Sequence, residues 1–222
     1  VGEFDLSGRQ LWPTMVFTRR WQDHDRYVDP LCAELYARKD RATAQIESGV
    51  AVGAKSMDGL YESDFDLFES SAEPIQALRG WIEETLRQAV SIANGQQRNP
   101  DELEVEFTEA WAHISNDGGF HDAHYHGNCS WCGIFYVKAA ECRPTDETGA
   151  GNGISRFYSP VATGGLIEDY GGKYLNLNRT DFLPQDGFLV LFPSYLLHSG
   201  LPYRGTADRV LIAFNTKTFV KV

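Results

Sequence analysis

Between residues 74 and 94, "PIQALRGWIEETLRQAVSIAN", apolar side chains recur at steps of three and four. Ile75, Leu78, Ile82, Leu86, Ala89 and Ala93 form one stripe, widened by Trp81 and Val90, which predicts an amphipathic helix. Pro74 suits its first turn and Asn94-Gly95 its end, and Glu83 and Arg87 pair one turn apart on the outer side. A second helix is predicted over 27–48, where Leu31, Leu35, Ala42 and Ile46 stand among charges and Pro30 sits in the first turn. Residues 10–21, aromatic and β-branched, read as an early strand, and 50–73, broken by Gly and Ser, as loop. After residue 100 the period shortens to two. In 102–114, Leu103, Val105 and Phe107 alternate with acids; 132–140, 187–193 and 209–222 are further strands. A Gly-rich stretch, 143–175, separates them. Helices followed by roughly eight short strands predict an α+β chain, mainly β, whose barrel or sandwich carries the helices on one face.

Composition narrows this picture. The 222 residues suit one large domain. We read 1–222 as a single unit, with 1–100 supplying an N-terminal strand and supporting helices and 101–222 the barrel. Hydrophobic residues make up 42% and charged residues 23%, a globular balance, and no apolar run is long enough to span a membrane. A net charge of −11 with no basic stripe argues against nucleic acid as a partner. The acidic run 61–74 reads as a solvated connection. The opening "VGEFDLSGRQ" lacks the pattern of a signal peptide, and four cysteines in a chain of this size suit a reducing compartment, so the expected location is cytoplasmic. Cys129 and Cys132, three apart in a strand-like run, should point to opposite faces and act as buried thiols. The oligomeric state stays open, a homodimer included.

The candidate chemistry lies in "HYHGNCSWCGIFYV" (124–137). Residues two apart on a strand share a face, so Asp122, His124 and His126 are expected to point one way. Two imidazoles placed so can grip one first-row divalent metal. A further ligand must come from elsewhere, and His198, at a turn after the apolar run 187–193, is the candidate. In "RVLIAFN", Arg209, Leu211, Ala213 and Asn215 share one face. Either Arg209 points into the barrel, where it needs an anion such as a carboxylate, or it pairs with a surface acid such as Asp208.

Two motifs and an opening segment resemble a known family. "EAWAHISNDGGFHDAHYHGNCSWCGIFYVK" (109–138) is similar to the H-x-H motif of the 2-oxoglutarate/iron(II)-dependent oxygenases, "DGFLVLFPSYLLHSGLPYRGTADRVLIAFN" (186–215) to their second motif, and "LWPTMVF" (11–17) to their opening segment. The resemblance implies a double-stranded β-helix, a cupin-like jelly-roll barrel related to prolyl hydroxylases. It also implies iron(II) and 2-oxoglutarate as cofactors, and O2 with a small-molecule or peptide substrate as reactants. By that likeness His124, His126 and His198 are the catalytic metal ligands. Arg209, with Tyr136 and Asn215, would bind the co-substrate, with Tyr195 a second choice for the hydroxyl. His126 stands where the wider superfamily has a carboxylate. Three completions are therefore open: His126 ligates, Asp122 turns in, or the position is left vacant for a halide. The implied reaction couples decarboxylation of 2-oxoglutarate to hydroxylation of a substrate. The rivals are a three-histidine cupin dioxygenase or isomerase without 2-oxoglutarate, and a non-catalytic metal-containing ligand-binding barrel. The segment 143–175 would be a lid, with Arg156, Tyr158, Tyr170 and Tyr174 as candidate substrate contacts.

Overall fold

The computed structural model describes residues 14–145, 147–160 and 179–221. Strand β1 (Phe17–Arg20) leads into helix α1 (His24–Glu47), and a hairpin of β2 (Lys55–Met57) and β3 (Leu60–Glu62) precedes helix α2 (Glu73–Ala93). Eight strands follow: β4 (Leu103–Ser115), β5 (Gly119–His124), β6 (Trp131–Lys138), β7 (Ser155–Tyr158), β8 (Arg179–Phe182), β9 (Phe188–Pro193), β10 (His198–Tyr203) and β11 (Arg209–Val220). They form a seven-stranded sheet, ordered β1-β9-β6-β11-β4-β3-β2, and a four-stranded sheet, ordered β5-β10-β7-β8. Every pairing between named strands is antiparallel. The expected double-stranded β-helix is the observed architecture.

The two-residue period divides the large sheet cleanly. On β11, Val210, Ile212 and Phe214 join Leu31, Leu35, Ile75, Leu78, Ile82 and Leu86 of the helices in one apolar core. Leu211 and Ala213 turn the other way, toward Trp111, Tyr136 and Phe192. Both predicted helices form within a few residues of their expected ends, and the Glu83–Arg87 ion pair is present. No helix among the described residues is long and apolar enough to cross a membrane.

One expectation fails. Residues 50–73 are not simply loop, because Leu60, Tyr61 and Glu62 form a buried strand against β4. The local signal was Asp58-Gly59, a two-residue hairpin turn between Met57 and Leu60. This hairpin packs on the corner between β4 and β5, where the Asn116 amide donates to the Gly59 carbonyl oxygen at 2.9 Å. A Cβ on Gly119 would run into that same oxygen and the carbon behind it. Backbone cannot swing aside as a side chain can, so Gly119→Ala is expected to displace the hairpin and lower stability by about 2 kcal/mol or more. Thermal unfolding checks this; an unchanged melting temperature would show that the corner yields freely.

Candidate active site

Five of the six histidines converge between the two sheets. Ring centroids follow one another from His113 to His121 (5.3 Å), His124 (4.4 Å) and His198 (4.3 Å), with His126 5.0 Å from His124 and 5.2 Å from His198. The sixth, His24, is buried beside Phe135, its Nε2 2.9 Å from the Val137 carbonyl oxygen. The five border a cavity of about 260 Å³ whose walls include Trp111, Arg209 and Asn215.

His124, His126 and His198 each offer a ring nitrogen, all within 4.8 Å of one another. Their positions follow from pairing, since His124 lies directly across from His198 in the β5–β10 ladder. His126 lies just past β5, and its amide donates to the Ser194 carbonyl oxygen at 3.1 Å. Two further contacts orient the rings. His198 Nδ1 is 2.9 Å from the Leu196 carbonyl oxygen, and His124 Nδ1 is 2.7 Å from that of Asp122. A carbonyl only accepts, so each Nδ1 carries the proton and each Nε2 keeps its lone pair for a metal. Burial first, and neighbouring imidazoles second, push His126 down to about 4; burial likewise leads in lowering His198 to about 3. His124 is lowered too, chiefly by burial. At neutral pH the three present lone pairs, not charges, and the donor set fits iron(II).

Those shifts predict a pH dependence of the metal-free protein. An unfolded histidine takes up its proton near 6.5. Between that value and the folded ones the unfolded chain binds more protons, so stability rises with pH. The contribution is full above about pH 6.5 and is lost as pH falls toward 4. The melting temperature of metal-stripped protein is expected to drop by several degrees from pH 7 to pH 5. A melting temperature at pH 5 equal to or above that at pH 7 would contradict the buried neutral state of these rings.

Asp122 does not join the cluster. It is exposed, and its Oδ1 accepts from the Ala123 amide at 2.7 Å. The pairing shifts between His198 and Gly200, so Asp122 and Ala123 bulge outward and His121 takes the inward place opposite Gly200. The shared face is therefore His121, His124 and His126, not Asp122, His124 and His126.

Arg209 is 5% exposed and lines the cavity. Its guanidinium has no carboxylate within ion-pair distance among the described residues, and its buried Nε has no hydrogen-bond partner. Asp208 is turned elsewhere, to Tyr36 and Asn116. Asn215 also lines the cavity; its Nδ2 donates to Glu109 at 2.7 Å, while its buried Oδ1 has no partner. Tyr136 is set back, its hydroxyl 2.6 Å from the Ser155 hydroxyl, and Ser155 reaches the cavity. Tyr195 is 55% exposed and points to Thr14 instead.

Other expectations shift. Arg156 is engaged by Asp181 through two hydrogen bonds, at 2.7 and 2.9 Å, between β7 and β8. Tyr158 meets Ser199, and Tyr170 and Tyr174 lie outside the described residues. Cys129 precedes β6, so strand alternation does not govern it, and its sulfur lies 3.8 Å from that of Cys132. Both thiols are free, and burial pushes Cys132 far up. Sequence reasoning also missed Glu62 and His113 as cavity residues. His113 was hidden inside a motif read for its other histidines, and Glu62 inside an acidic run read as solvated.

Residues 109–215 match the sequence model of the family described as "Putative 2OG-Fe(II) oxygenase". Over that span the chain resembles the 2-oxoglutarate/iron(II)-dependent oxygenases. This oxygenase matches no curated protein sequence. Solved structures share its fold. A Pseudomonas putida prolyl-4-hydroxylase is 17% identical at a TM-score of 0.57, with 91% of this chain and 92% of that one covered. HygX from Streptomyces hygroscopicus, solved with nickel and 2-oxoglutarate, is 12% identical at 0.53, with 92% and 83% covered. The epimerase SnoN from nogalamycin biosynthesis is 9% identical at 0.53, with 89% and 77% covered. The cofactors of the oxygenase are iron(II) and 2-oxoglutarate, and its second reactant is O2.

Proposed function

We propose that this oxygenase hydroxylates a substrate C–H bond, with His124, His126 and His198 holding the iron and Arg209 binding the distal carboxylate of 2-oxoglutarate. One observation carries the reading: a buried guanidinium, without an acid beside it among the described residues, faces the same cavity as three neutral imidazoles. An unpaired buried charge is costly, and a planar fork that takes a carboxylate in two hydrogen bonds compensates it. When bound, iron(II) and 2-oxoglutarate activate O2 and couple decarboxylation to succinate and CO2 with oxidation of the substrate.

The chain's own residues do the rest. The backbone carbonyls of Leu196 and Asp122 lock two imidazoles in one tautomer. Three neutral ligands leave the charge of a dication undiminished, which favours a dianionic co-substrate over a neutral one. Ser155, oriented by Tyr136, offers a hydroxyl at the cavity wall, and Asn215 offers its unpartnered carbonyl. Trp111 and Leu211 give the cavity apolar walls that limit water near the metal. In this reading 1–222 work as one domain, the N-terminal part adding β1, β2 and β3 to the barrel's larger sheet.

The experiment is anaerobic titration of iron(II)-loaded protein with 2-oxoglutarate, following the visible charge-transfer band of chelation. A saturable band supports the reading. Its absence at full iron loading would remove 2-oxoglutarate from this site and favour a three-histidine cupin.

A further inference from the structure

We propose a second divalent-cation site beside the first, formed by Glu62, His113 and His121. This goes beyond the proposed function and does not depend on it. One donor atom from each of the three lies within 4.8 Å of the others. Each comes from a different strand, and pairing sets their places. Glu62 on β3 lies directly across from His113 on β4, and the bulge in β5 turns His121 inward. The packing of the Gly59 turn against Gly119 holds the three strands together at this corner. Donors on paired strands are preorganised as donors on loops are not.

The charge balance asks for a cation here. Glu62 is 6% exposed, a carboxylate drawn inside the fold. The cationic group paired with it among the described residues is Lys55, whose Nζ reaches Oε1 at 3.4 Å from an exposed position. The other oxygen, Oε2, faces the histidines, 2.9 Å from His113 Nε2 and 3.5 Å from His121 Nε2. His113 is buried too. Its Nε2 also lies 3.0 Å from the indole N–H of Trp111, which can only donate. One nitrogen cannot accept from Trp111 and donate to Glu62 together. That nitrogen has a single lone pair, and a cation held with Glu62 takes it in place of the Trp111 N–H. Two imidazoles and a carboxylate suit first-row divalent ions such as iron(II), manganese(II) and zinc(II). His121 Nδ1 lies 3.2 Å from His124 Nδ1, so the second cluster directly adjoins the first.

Metal stoichiometry tests this without any substrate. Metal-stripped protein is dialysed to equilibrium against iron(II) without oxygen, and in parallel against manganese(II), and bound metal is counted per chain. The wild type is expected to hold two ions. Glu62→Gln, which keeps size and removes charge, and His121→Ala are each expected to hold one. His198→Ala is expected to lose the other ion and keep the one at Glu62. Circular dichroism on each variant shows that it is folded. One ion in the wild type, lost in His198→Ala and kept in Glu62→Gln, overturns the second site and leaves the proposed function standing. Glu62, His113 and His121 would then be a hydrogen-bonded chain supporting His124. One ion lost in Glu62→Gln but kept in His198→Ala upholds a cation site at Glu62 and overturns the assignment of the iron to His124, His126 and His198.

Discussion

His198→Ala is expected to abolish the band that iron(II) and 2-oxoglutarate form together, with metal affinity at the first site falling at least about 100-fold. Outer partners of a metal ligand are commonly worth 10- to 100-fold, so loss of a ligand itself should exceed that range. His198 is the most constrained of the three. It is 5% exposed, its Nδ1 is tied to the Leu196 carbonyl, and the rings of Phe157 and Phe192 pack on it. Its removal leaves two imidazoles on the flank of β5, which cannot close around an ion alone. His126→Asp makes the informative partner variant, because it restores the two-histidine, one-carboxylate arrangement common in non-haem iron oxygenases. It is expected to keep the band. Loss of the band in His126→Asp with retention in His198→Ala would place the metal elsewhere in the cavity.

Arg209→Met is expected to weaken 2-oxoglutarate binding and stabilise the metal-free fold in one step. Hydrogen bonds to charged groups contribute about 1.5–3 kcal/mol each. Losing a two-pronged contact should therefore raise the dissociation constant about 100- to 20,000-fold, since each 1.4 kcal/mol is tenfold. Stability moves the other way. Without an anion the guanidinium lies buried with its Nε unpartnered, and replacing such a group with an apolar side chain of similar length can gain about 1–4 kcal/mol. For a chain of this size each kcal/mol shifts the melting temperature by about 2–4 °C. Calorimetric titration with 2-oxoglutarate and thermal unfolding of the apo variant read the two effects separately. An unchanged dissociation constant would take Arg209 out of co-substrate binding. A lower melting temperature would mean that the guanidinium is already satisfied in the apo fold.

Much of this was legible in the chain. The stripe from Ile75 to Ala93 specified α2, because residues three and four apart share a helix face wherever the helix packs. Alternation in 209–215 sorted Val210, Ile212 and Phe214 from Arg209, Leu211, Ala213 and Asn215, because a pleated strand turns successive side chains to opposite faces. The sequence left open only which face is inward, and the helices decided it by covering the first set. The H-x-H pair and His198 also stood out, as histidines beside strand-like runs. What only the tertiary structure decided is the rest of the cavity. Asp122 looked equivalent to His124 by spacing, yet the bulge against β10 turned it out and His121 in. Glu62 read as one acid among several until β3 paired with β4 and buried it across from His113. Local patterns record the period of a strand. They carry no record of where its ladder skips a residue or which distant strand lies beside it, and those long-range pairings assemble the cluster of five histidines and a carboxylate.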